Sequence, residues 1–299
     1  KQSLSATLTE LTSLAKQDNE ATQGLNILLT EPNHSASKMF REKCAKLLFE
    51  TGLVNALQFA NQSLLALYMS GRTTGIVVSM GHHCTSVVPI IDGAIITSNM
   101  VSSSAISGKK LTETLFHMLN ENQWFKDSSE FSSVASAASS PNSPAFFQLM
   151  LLVNEMKHAH CYVPLDYRSE LQRMADASYY CNSFELPDGH VITLNDERFK
   201  ATEKVLFADS YNQVSNNNAQ GGENLAKMIF DCLEKELANE KYSESTRSDL
   251  CKNILLFGGT ACLKGLDARI KNELTSYFAK KATSSQTTIV RVISLSETE

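Results

Sequence analysis

Nothing in this chain of 299 residues approaches the run of about 20 apolar residues that crosses a bilayer. Its opening stretch, KQSLSATLTELTSLAKQDNE, also lacks the apolar core of a secretory leader. These absences predict a protein that is neither secreted nor membrane-bound. Lys and Arg form no cluster interleaved with aromatics, and the net charge is −5, so a direct nucleic-acid partner is excluded. No CxxC pair occurs, and the seven cysteines (Cys44, Cys84, Cys161, Cys181, Cys232, Cys251, Cys262) are odd in number. That pattern fits reduced thiols in a cytoplasmic or nuclear compartment rather than a disulfide framework. GxSxG, HExxH, GxxxxGK[ST] and GxGxxG are all missing, which removes the serine-hydrolase elbow, the zinc-protease helix, the P-loop and the dinucleotide fingerprint.

What is present is enough apolar material, 42% of residues, to build the core of one large or two medium domains. Spacing predicts an α/β order. Ser37 to Glu50 reads as a helix that buries Phe40, Cys44, Leu47 and Leu48, followed by a strand at Ala56 to Phe59 and a helix at Gln62 to Met69. Two β-branched runs, Thr74 to Ser79 and Thr85 to Ile91, flank a Gly/His turn that needs Gly81 to fold back sharply, and a third strand is expected at Ala94 to Thr97. A turn of this shape can aim consecutive backbone N–H groups at an anion. Further helices are expected at Lys109 to Asn120, Gln148 to His158, Leu225 to Ala238 and Leu263 to Phe278, with strands at His190 to Leu194 and Asn253 to Phe257. The Ser/Ala/Pro-rich stretch 126–144 and the polar stretch Asp209 to Asn224 read as loops. Strand, Gly258-Gly259 turn, helix is the second chemical signal, because glycines let backbone approach a ligand at a helix entrance.

Five collinear blocks, REKCAKLLFET (41–51), LYMSGRTTGIVV (67–78), HCYVPLDY (160–167), ELPDGHVITLNDERF (185–199) and NILLFGGTACLKGLDARI (253–270), resemble actins in order and spacing. The resemblance runs from about residue 28 to about residue 293 but matches only the middle of an actin. The chain begins at Lys1 rather than Met, and both ends of the natural protein are expected to be missing. The similarity implies the α/β, two-lobed hexokinase/heat-shock/actin ATPase fold, with a hinge near Gln62. Residues 1–69 would be what remains of the first lobe. Residues 70–106 and 212–299 would form the core of the second lobe, carrying an inserted smaller subdomain at 107–211. Carried over by position, Gly81 would be the close-approach glycine of a phosphate loop and Gln62 the group that positions the attacking water. Gly108 would border the adenosine pocket, Lys157 would face the base, and Gly258, Gly259 and Thr260 would line the adenine and α-phosphate.

The departures fall in the same cleft. Ser79 and His82 stand where the family has aspartates, Ser86 where it has a catalytic histidine, His158 where it has a glutamate and Leu263 where it has an aromatic. Mg²⁺ held through its waters relies on carboxylates, so its coordination is undercut and ATP hydrolysis is expected to be weak or absent. His82 could face a phosphate of ATP or ADP without metal, its charge depending on pH near neutrality. A rival reading makes His82, His83 and Cys84, or His158, His160 and Cys161, a metal site, but adjacent residues on a strand point to opposite faces. Asp166, Glu185, Asp188 and Glu197 are expected to be solvated carboxylates without catalytic roles. The stretch ADSYNQVSNNNAQGGEN (208–224) replaces an apolar plug, which disfavours a homopolymer. The resemblance therefore implies an actin-related subunit among other proteins of a larger cytoskeletal or chromatin-associated assembly. The alternative is a fast-diverging conventional actin that still polymerises.

Overall fold

The computed structural model describes residues 24–33, 38–122, 144–175, 182–187, 189–214, 222–281 and 289–294. The chain divides into two compact units, residues 1–71 and 72–299. In the first, strand β1 (Leu25–Glu31) pairs in parallel with β2 (Val54–Asn61), joined through helix α1 (Lys38–Phe49) and followed by α2 (Gln62–Met69). Asn61 caps α2, its side chain accepting from the Ser63 and Leu64 amides. Glu31, almost fully buried, accepts from Arg41 Nε at 2.8 Å and ties α1 back to the end of β1. α1 forms where its spacing predicts, but its expected burial is wrong. Phe40 is 42% and Leu47 also 42% exposed, and only Leu48 of the helix is buried. A two-stranded sheet offers too narrow a surface to cover an apolar helical stripe.

The second unit is organised on one mixed sheet. Its strands are β3 (Gly75–Met80), β4 (Thr85–Ile91), β5 (Ala94–Ile95), β6 (Val101–Ser103), β9 (Ile254–Phe257) and β10 (Val292–Ser294), in the order β10-β9-β3-β4-β5 with β6 also on β4. β3 and β4 pair antiparallel from Gly75 opposite Ile90 to Met80 opposite Thr85, while β3 and β9 run parallel. Every residue of β3 and β4 is buried, so both faces are covered and the strands read as continuous apolar runs rather than alternating ones. Helices α8 (Leu225–Leu237), α9 (Glu244–Lys252) and α10 (Leu266–Lys281) supply Ile229, Leu233, Leu250, Ile270 and Leu274 to this core.

A second apolar cluster forms between α3 (Gly108–Glu121), α4 (Pro144–His160), the hairpin β7 (Asn182–Glu185) and β8 (Val191–Leu194), and α6 (Glu197–Leu206). Leu115, Leu119, Leu149, Val153 and Ile192 fill it. Two further helices, α5 (Tyr167–Ala175) and α7 (Ala208–Val214), lie on either side of α6 in the sequence. α7 corrects the reading of Asp209 to Asn224 as loop throughout. Asp209 lies in its first turn, where a negative charge suits the helix dipole, and Tyr211 stacks against Tyr167 with centroids 5.9 Å apart. Residues 215–221 of that stretch, and residues 126–143 of the Ser-rich one, lie outside the described residues, but Pro144 begins a helix rather than ending a loop. The third strand is shorter than expected, because Thr97–Asn99 coil into a 3-10 turn. Glu197, expected to be solvated, is buried and accepts from Asn122 Nδ2 at 2.6 Å and the Asn195 amide at 2.8 Å, while Asp188 lies outside the described residues.

Candidate functional site

The β3–β4 turn is closed by the Gly81 amide donating to the Cys84 carbonyl at 3.0 Å. Gly81 does not adopt the left-handed backbone that the sharp fold-back suggested; closeness is what favours glycine, since a Cβ there would lie 3.2 Å from that carbonyl, tighter than most side chains accept. The turn is docked from two sides. The Gly81 carbonyl accepts from the Gly108 amide at 3.0 Å and from Thr260 Oγ1 at 3.2 Å, and the His82 carbonyl accepts from the Lys109 amide at 2.7 Å. Three glycine-bearing segments, far apart in sequence, thus meet at the hairpin tip, and their spacing leaves little freedom. A Cβ at Gly108 would come within 2.7 Å of Thr260 Oγ1. Gly258, with φ +103°, would carry a Cβ 2.5 Å from the Met80 carbonyl. Gly259 differs, because a Cβ there meets nothing within 4 Å and its backbone faces open space.

Electrostatically this tip is a donor surface. The amides of His82 and His83 have no hydrogen-bond partner among the described residues. The N-terminus of α3 opens beside them, capped by Ser107 Oγ accepting from the Lys110 amide at 3.3 Å. Ser107 and the α3 entrance escaped the sequence reading, although a Ser just before an amphipathic run is a start signal. Lys157 is 3% exposed, and its ammonium donates to Asn154 Oδ1 at 2.6 Å, Thr112 Oγ1 at 3.0 Å and the Gly108 carbonyl at 3.3 Å. Burial lowers its pKa. Lys157 also lines a hollow of about 50 Å³ with His158, Cys161, Gly259, Thr260, Cys262, Leu263 and Lys264. That volume is well below the roughly 300–1,000 Å³ of a small-molecule pocket, so this hollow does not enclose a nucleotide by itself. Gln62, the first residue of α2, belongs to the other unit.

His82 is set against His83 at 4.8 Å, edge to face. Partial burial, then His83, Lys157 and Lys109, lower its pKa below the usual histidine value and so favour the neutral ring, against a smaller opposing pull from Glu113. Ser79 and Ser86 face each other across β3 and β4, both buried, and bring no charge to the tip. Among the described residues no group of three or more His, Cys, Asp or Glu side chains converges as metal ligands. Burial drives the Cys161 thiol to about 12, so a thiolate is not available to the His158, His160, Cys161 trio. Amide donors, a helix N-terminus and open glycine backbone fit an anionic nucleotide. Among the described residues the carboxylate that acts on His82 is Glu113, which is paired with Lys109 at 3.9 Å and Lys110 at 3.8 Å, and a carboxylate held between two lysines does not fit Mg²⁺.

Residues 7–299 match the protein family described as Actin. The chain is also similar to centractin of Schizosaccharomyces pombe (strain 972 / ATCC 24843), 34% identical over 255 residues that make up 85% of this chain and 59% of that protein. It thus spans about three fifths, 59%, of the length of the curated relative it matches. Among the described residues no helix is long and apolar enough to cross a membrane. With a family match over nearly all its length, on an α/β frame whose glycine loops converge at one hairpin tip, this chain belongs to the actin family.

Proposed function

We propose that the protein is a divergent actin-related subunit of a larger cytoplasmic cytoskeletal assembly, and that it holds ATP or ADP as a structural clamp with little or no hydrolysis. The observation that carries this reading is the hairpin tip: unpartnered amides at His82 and His83 beside the α3 N-terminus, with Ser79 and neutral His82 in place of carboxylates. In this reading the amides of His82 and His83 receive phosphate oxygens within the positive field of the α3 N-terminus, while Gly258, Gly259, Thr260 and Leu263 take the side nearer the base. Bound nucleotide would supply a multiply charged phosphate chain to which these donors are complementary. With Ser79 and His82 in place of aspartates and Glu113 paired with Lys109 and Lys110, little at the tip orders a metal and its waters or stabilises the charge that develops on phosphoryl transfer.

The test is to purify the protein without added nucleotide, denature it and identify what is released by chromatography, alongside a Gly81→Asp variant whose circular dichroism matches the parent. Stoichiometric ATP from the parent and none from the variant is the expected result. Stoichiometric ADP would favour a polymerising ATPase, and an empty protein would overturn nucleotide binding.

A further inference from the structure

Away from the glycine loops, the C-terminal end of α4 opens on a second hollow of about 340 Å³, lined by Ala159, His160, Cys161, Tyr162, Asn182, Arg198 and Lys264. Among the described residues each charged side chain that lines it is a cation, and no carboxylate does. Lys264 is exposed and has no ion-pair partner among the described residues. Arg198, the second residue of α6, is held in place, its Nε donating to the His160 carbonyl at 3.1 Å and its guanidinium 5.1 Å from the centroid of the Tyr162 ring. The backbone around the hollow is equally fixed. Val163 donates to the Lys264 carbonyl at 2.8 Å, Thr202 Oγ1 donates to the Tyr162 carbonyl at 2.8 Å, and Gly265, with φ +81°, lies so close to Val163 that a Cβ would fall 2.4 Å from its carbonyl. That contact sets where Lys264 leaves the chain.

His160 completes the set. Its Nδ1 is 3.3 Å from Asn182 Nδ2, which can only donate, so Nδ1 accepts and the ring proton resides on Nε2 as a further donor. The ring is braced edge-on by Phe184 at 5.8 Å. We propose that this hollow is a binding site for a small phosphate-bearing ligand, held by Lys264, Arg198 and the Nε2–H of His160; Cys161 and Lys264 also line the small hollow beside Gly259 and Thr260, but Arg198 and His160 belong to this one alone. The volume lies at the lower end of small-molecule pockets, room for a phosphate group with a small body. A doubly charged oxyanion uses two cations and a ring N–H better than a single carboxylate does. Burial, then Arg198 and Lys264, lower the pKa of His160; an anion between the two cations reverses that field and raises it. The proposal does not depend on the nucleotide reading.

The experiment is a titration of the whole chain with inorganic phosphate at pH 7.5, at constant ionic strength set with chloride, following the histidine ring resonances by NMR. His160 is assigned from a His160→Gln variant. The expected result is a saturable shift at His160, with affinity lowered about tenfold in Lys264→Gln, the scale of one lost charge-assisted hydrogen bond. Absence of a saturable shift at His160 overturns the site, as does equal affinity in Lys264→Gln. A shift confined to His82 places phosphate at the glycine loops, which also overturns this site while leaving nucleotide binding standing.

Discussion

Gly258 and Gly259 are neighbours with opposite constraints, and substituting each separates stability from ligand contact. Gly258→Ala forces a methyl group toward the Met80 carbonyl from a left-handed backbone, so it is expected to cost about 1–3 kcal/mol in urea unfolding. Gly259→Ala, with open space before it, should leave the urea midpoint within about 0.5 kcal/mol of the parent while reducing recovered nucleotide. Equal losses of stability would show that the second glycine is also a packing requirement. Glu203 gives a pH signature. Burial lifts its pKa from 4.5 to about 7, with the Arg269 guanidinium at 2.8 Å holding it from rising further. The folded chain therefore keeps this proton where the unfolded chain has released it. The stabilisation is complete below the unfolded value and is lost as pH rises from about 4.5 to about 7. Glu203→Gln should flatten that fall when melting temperatures at pH 5 and pH 7.5 are compared, since Arg269 keeps Glu273 Oε1 at 2.9 Å and the Pro164 carbonyl at 2.9 Å. An unchanged slope in the variant would assign the pH dependence to other groups.

Among the elements, α3 links sequence signal to site, because its capped entrance carries Gly108 and Lys109 into the hairpin tip. Ser107→Ala removes the cap and should destabilise the protein by about 1 kcal/mol, with faster amide exchange at Lys110. Unchanged exchange there would mean the tertiary contacts of Gly108 alone hold the helix start. The central hairpin and the helices α3, α4 and α8 were legible in the sequence because β-branched runs and apolar spacing both pointed the same way. α7 was not, since its polar composition reads as loop, and the contacts of Tyr211 with Tyr167 and Lys204 and the Ser210 and Tyr211 amides donating to the Phe207 carbonyl are tertiary and local features no spacing shows. The burial of α1 was misread because spacing reports an apolar stripe but not how wide a surface will receive it. At the site, Gly81, Gly108, Gly258 and Thr260 could be named from motif positions, but their convergence could not. The role of Lys157 as a brace between α4 and α3 depends on Asn154 and Thr112, which carry no motif. The hollow at His160 was invisible for the same reason, its two cations and the His160 ring lying in three separate segments.

For the molecule as a whole, the proposal of a fixed subunit predicts that ultracentrifugation with ATP and Mg²⁺ leaves the protein in the supernatant. Sedimenting polymer under those conditions would restore the reading of a conventional actin. One consequence of the architecture concerns how the protein is made. β3 pairs with β9, and Thr260 reaches Gly81 across 179 positions of chain. A ribosome that has finished α7 has therefore released a strand whose second edge is still bare and a hairpin tip that lacks one of its two supports. Such long-range closure is slow and leaves an unpaired edge open to wrong partners. Newly made chains should therefore depend on a holdase until β9 and Thr260 emerge, and fragments ending before β9 should be retained by chaperones and bind no nucleotide.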